Sequence, residues 1–164
     1  MRRWLTSCVA IVLAWAASSC ERAEHPLRPV PTDTDWQLLD GGTLGARELL
    51  GSPWVVALWV PGCGVCAREA PRLEQLRREY EPRGVRFLAL SLEPDASLVR
   101  EGATRMGMQL PLATTRDPAL DPLGVRAVPS VVWVDAKGTV RTAATGERSL
   151  DFLREQTESL LAAP

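Results

Sequence analysis

The chain has 164 residues, enough for one domain with a real core in addition to a leader. With 19 basic and 20 acidic residues the formal net charge is -1, which leaves no basic excess for attracting nucleic acid. Lys137 is the one lysine, and the arginines are scattered among acids, as in Arg68-Glu69 and Arg78-Glu79, the pattern of a solvated surface.

Residues 1–19 read as a signal peptide: Arg2 and Arg3 form a basic start, and Trp4 to Ala17 an apolar run. That run is short for a spanning helix, which needs about 20 residues. Its end, Ala17-Ser18-Ser19-Cys20, resembles a bacterial lipobox. The resemblance implies a lipid on Cys20 and a protein tethered in the bacterial cell envelope, facing the periplasm or the cell exterior. Residues 20–35 carry prolines and charges without an apolar period, and read as a lipidated N-terminus and flexible linker. His25 there is a polar linker residue. The folded domain is expected over 36–164. Cys8 leaves with the signal and Cys20 carries lipid, so the domain keeps Cys63 and Cys66. A structural zinc site would need two further ligands, so no metal is expected.

Within the domain, Trp36 to Leu39 is a short strand turned by Asp40-Gly41-Gly42, and Leu44 to Leu50 a helical turn or a second strand. Trp54 to Val60 is continuously apolar, as expected of a central strand covered on both faces. Pro61 and Gly62 stop it. A helix follows from the Cys63-Gly64-Val65-Cys66 turn, with Leu73, Leu76 and Tyr80 on one stripe, a kink expected at Pro71 and an end at Glu81 to Gly84. Val85 to Leu92 is a second core strand. Asp95 to Met106 reads as a capped helix with Leu98 and Val99 inward, Leu110 to Ala113 as a short strand, and Pro118 to Leu123 as a turn of helix. Val131 to Asp135 and Thr139 to Ala143 form a hairpin around Ala136-Lys137-Gly138, and Leu150 to Leu161 closes the chain as an amphipathic helix. This order implies a central mixed sheet with helices on both faces. Trp54 and Trp59 are assigned to core packing.

A thiol pair where a strand hands over to a helix is suited to redox chemistry, because unpaired backbone N–H groups and the helix dipole both favour a thiolate. Cys63, nearer the helix end, reads as the attacking thiolate, and Cys66, a turn inward, as the resolving thiol. A purely structural disulfide is disfavoured, since so short a loop constrains little unfolded-state entropy.

The segments WVVALWVPGCGVCAREAP, VRFLALSL and VRAVPSVVWVDAKGTVRTAATG resemble the thioredoxin fold, and within it the exported TlpA/ResA-like branch. Glu69 and Pro71 match that branch's C-x-x-C-x-x-E-x-P run, and the long stretch from Cys66 to Pro129 leaves room for its extra helix and strand. The resemblance implies an α/β thioredoxin-like domain, a central mixed β-sheet flanked by helices with a helix/strand insertion before a cis-proline. It makes Pro129 that cis-proline, Val128 a substrate contact through its backbone, and Glu69 a partly buried carboxylate that moves protons for the thiols. It further implies thiol/disulfide exchange that reduces exported cysteine-containing proteins, for example in cytochrome c maturation or at copper-site cysteines. Electrons would come from a membrane dithiol donor, with no organic cofactor, and the protein would act as a monomer.

Two positions depart from the branch: Gly62 stands where many relatives carry tryptophan, and the intervening dipeptide is Gly64-Val65. Two other readings compete. Pro61-Gly62-Cys63 resembles a peroxiredoxin's peroxidatic motif, but Val60 stands where that family has a hydroxyl residue. A copper-binding or copper-site assembly protein could use the thiolates with Met106 and Met108 as soft ligands, although those methionines read more simply as packing at a helix end.

Overall fold

The computed structural model describes residues 28–115, 123 and 125–162. Residues 1–27, with the expected signal peptide, Cys20 and His25, lie outside them, as does all of the expected 118–123 helical turn except Leu123. Among the described residues no helix is long and apolar enough to cross a membrane.

Strand β4 (Trp54–Trp59) is buried along its whole length. It pairs in parallel with β5 (Arg86–Ser91) and antiparallel with β7 (Ser130–Val134), so neighbours satisfy its backbone on both sides. Its alternation splits the core in two. Val55, Ala57 and Trp59 face the cluster shared with the long helices, and Trp54, Val56 and Leu58 face the other. Each large side chain so buried contributes about 1.5–3 kcal/mol by leaving water. The sheet is completed by β1 (Arg28–Pro29), β2 (Asp35–Leu38), β3 (Thr43–Gly45), β6 (Leu112–Thr114) and β8 (Thr139–Thr145), in the order β1-β8-β7-β4-β5-β6-β2-β3.

Helix α1 (Gly64–Tyr80) buries Cys66, Ala70, Leu73, Leu76 and Tyr80, a stripe at helical spacing. Pro71 lies on its exposed side, and the helix continues past it. Helix α2 (Ala96–Met106) starts on Asp95, whose carboxylate accepts from the Ser97 and Leu98 amides, and stops at Gly107, where φ is +66°. Helix α3 (Leu150–Ala162) is lashed to α1 by Arg154–Glu79 and by Tyr80 Oη donating to Glu158.

The structure corrects several expectations. Among the described residues, helices α1, α2 and α3 pack on one face of the sheet. The opposite face is covered by Trp36, Leu44, Leu49, Leu123 and Val125, from the β2–β3 hairpin, a 3-10 turn at Ala46–Leu49 and the loop before β7. The expected linker is folded from Arg28 onward: β1 pairs with Val140 and Thr139, the Val30 amide donates to Gly138 O, and Val30 is buried. Pro29 hid the strand, which an edge position permits because it tolerates a missing donor. Leu98, expected inward, is 45% exposed, and the buried face of α2 runs through Val99, Gly102 and Ala103 instead.

Candidate active site

The parallel pairing of β4 and β5 brings their C-terminal ends to one pole of the sheet, where β7, running antiparallel, begins. The chain leaves β4 through Pro61 and Gly62, and Gly62 has φ +79°, the left-handed region that a side chain resists. Glycine in place of tryptophan therefore suits this turn. The Cys63 amide closes it on Val60 O at 3.3 Å. Cys63 is the N-cap of α1, and its Sγ accepts from the Cys66 amide at 3.1 Å. The first turn of α1 holds no acidic residue, so the positive end of the helix dipole acts on the sulfur uncompensated. Cys63 and Cys66 form a disulfide with Cα atoms 5.2 Å apart. Cys63 is half-buried and Cys66 is 3% exposed, so Cys63 is the more accessible of the two.

Ser130 lies opposite Leu58 in the β4–β7 register, which sets Pro129 level with the end of β4, beside the turn that carries Cys63. The Val128–Pro129 peptide is cis. The segment is pinned from both sides: Pro129 O accepts from the Gly146 amide at 2.8 Å, and Ser130 Oγ donates to Ala127 O at 2.7 Å. Val128 is half-buried and packs against both core clusters.

Glu69 follows Cys66 by three residues on the same helical face and is 1% exposed. Its Oε1 accepts from the Arg148 amide at 2.9 Å. Burial pushes the Glu69 carboxyl above its usual range, and this outweighs the Arg148 amide bond and the Arg72 charge, both of which pull it down. Arg72 is itself held by Glu147 at 2.8 Å, and Arg68 reaches the same carboxylate at 3.0 Å. Sequence reasoning missed Arg72, Glu147 and Arg148 as the surroundings of Glu69, because the last two come from the β8–α3 loop, far away in the chain. It also missed Glu74, the second buried carboxylate of α1, which accepts from the Gln109 and Leu110 amides.

The rival copper ligands are engaged elsewhere: Met108 is buried in the helix-side core and Met106 packs against it. The described residues contain no group of three or more His, Cys, Asp or Glu arranged to hold a metal ion.

The model of one family, Redoxin, matches residues 28–161. The chain belongs to the Redoxin family. Its relatives include "Thiol-disulfide oxidoreductase ResA" of Halalkalibacterium halodurans, 26% identical over 121 residues that span 73% of this chain and 69% of the relative. The protein of the same name from Geobacillus thermodenitrificans is 29% identical over 123 residues, covering 74% and 71%. Among solved structures, MTB dsbF in its mixed oxidized and reduced forms superposes with a TM-score of 0.71 at 25% identity, covering 80% of this chain and 98% of that one. A putative thiol:disulfide interchange protein DsbE from Chlorobium tepidum gives 0.73 at 20% identity, covering 82% and 96%, a likeness of fold alone. This Redoxin-family chain is thus a thiol/disulfide oxidoreductase with the thioredoxin-like fold and a ResA-type C-x-x-C pair.

Proposed function

We propose that the protein reduces disulfides in exported, cysteine-containing proteins outside the cytoplasm. The observation that carries this reading is the position of Cys63, half-buried at an uncompensated helix N-terminus with Cys66 sealed beneath it. The Cys63 thiolate attacks one sulfur of the substrate disulfide, forming a mixed disulfide and releasing the other sulfur as a thiolate. Cys66 then gives up its proton and attacks Cys63, closing the Cys63–Cys66 bond and releasing the second substrate thiolate. Two electrons pass to the substrate, and the protein is left oxidised. Glu69, buried and with a raised proton affinity, takes the proton from Cys66. Val128, immediately before the cis bond, offers its backbone to an extended substrate segment beside the sulfur.

Cys20 carries the lipid that holds the domain at the membrane of the cell envelope, and a membrane dithiol donor returns the protein to its reduced form. A secreted disulfide oxidoreductase of Mycobacterium tuberculosis among the structural neighbours, and the ResA relatives, support an extracytoplasmic setting. Substrates of this class include the haem-binding cysteines of apocytochrome c. The test is the reduction potential of the Cys63/Cys66 pair, equilibrated with thiol buffers. A value below about -230 mV supports a dedicated reductant, and one above about -150 mV makes the protein an oxidant or isomerase instead.

A further inference from the structure

Helix α2 belongs to the insertion between the C-x-x-C helix and the cis-proline, and its Gly102 meets the active-site turn at Pro61. A Cβ on Gly102 would lie 3.0 Å from Pro61 Cβ, 3.1 Å from Pro61 Cα and 3.3 Å from Pro61 Cγ. All three atoms belong to the pyrrolidine ring, and Cα is backbone as well, so none can swing aside as a flexible chain end would. The helix cannot retreat easily either. Val99 and Ala103 are sealed in the core on the same face. Arg100 donates to Leu39 O, and the loop after the helix is clamped by Glu74, which accepts from the Gln109 and Leu110 amides at 2.5 and 2.8 Å. Pro61 in turn lies two residues before Cys63, in a turn closed by the Cys63 amide on Val60 O.

We infer that Gly102 is a positioning residue for the reactive sulfur: the bare α-carbon of α2 seats Pro61, and this seat holds Cys63 Sγ on the N-terminus of α1, where the Cys66 amide stabilises the thiolate. The inference rests on thiol/disulfide exchange at this site and assigns the inserted helix a part in it. A methyl group at position 102 pushes the Pro61 backbone outward in a close-packed region that transmits the strain. Cys63 Sγ then leaves its place over the helix end, and the thiolate loses stabilisation.

The test is the pH dependence of Cys63 alkylation by iodoacetamide in the reduced protein, with Gly102→Ala compared to the parent. This readout needs no substrate, so it stays interpretable even if disulfide reduction is not the physiological reaction. The midpoint should rise by about half a pH unit, which slows labelling below the midpoint about threefold. Val99→Ala, which loosens the same helix but adds nothing at the Gly102–Pro61 contact, should lower the melting temperature and leave the midpoint in place. Pro61→Gly removes the ring from the seat with α2 unaltered, and should move the midpoint even if Gly102→Ala does not fold. An unchanged midpoint in folded Gly102→Ala, an equal rise in Val99→Ala, or an unmoved Pro61→Gly would each overturn the inference.

Discussion

Helix α1 buries two carboxylates about a turn and a half apart, and they are treated in opposite ways. Glu74 is saturated: one oxygen accepts two backbone amides and the other accepts from Arg77 Nε at 3.2 Å. Glu69 is 1% exposed, yet one backbone amide is the hydrogen bond found for it, and burial dominates its proton affinity. A saturated buried carboxylate ties elements together, whereas an under-supplied one suits the proton transfer proposed for Glu69. The thiol end of the helix has the second kind, and the far end has the first.

Four substitutions sharpen or break this contrast. Cys63→Ser sets the zero: disulfide reduction should vanish while circular dichroism stays native. Glu69→Gln should slow exchange on the order of 10²-fold without unfolding the protein, because the amide oxygen can still accept from Arg148. Its effect on stability has a definite sign. The folded-state carboxyl binds its proton more tightly than the unfolded one, so the native protein is favoured below the unfolded value of 4.5 and loses stability as pH rises through the raised folded value. Glu69→Gln should abolish that loss and melt no lower than the parent at neutral pH. Glu74→Ala should do the reverse, costing about 2 kcal/mol by stranding the buried Leu110 amide and the partly buried Gln109 amide, and leaving exchange per folded molecule nearly unchanged, as denaturant melts and specific activity would tell. The smallest effect is expected for Arg72→Met. It removes a charge that holds the Glu69 proton affinity down, so the alkaline limb of that stability loss should move to higher pH at a cost below about 1 kcal/mol.

The same division marks what could be read from the chain. Features set by neighbours in sequence were legible: the apolar run Trp54–Trp59, the cap at Asp95, the helix opening at the C-x-x-C turn, and the face shared by Cys66 and Glu69. Features set by tertiary contact were not. The periodicity of α2 does not say which side meets the core, and Leu98 went outward because the buried face is built on Gly102 and Ala103, which carry little hydrophobic signal. Arg28 and Pro29 carry no strand signal of their own and are ordered by the free edge of β8. Glu69 was recognisable as a candidate by likeness, but its burial depends on the loop around Arg148, and the clamp by Glu74 depends on where the insertion returns to the sheet.

The division of labour between the two sulfurs is the central claim, and trapping tests it most directly. A peptide with a mixed aromatic disulfide would be incubated with reduced Cys66→Ser and, separately, Cys63→Ser, and the products weighed by mass spectrometry. The account predicts a stable adduct on Cys63 in the first protein and almost none in the second. Equal or preferential labelling of Cys66 in the second would contradict it.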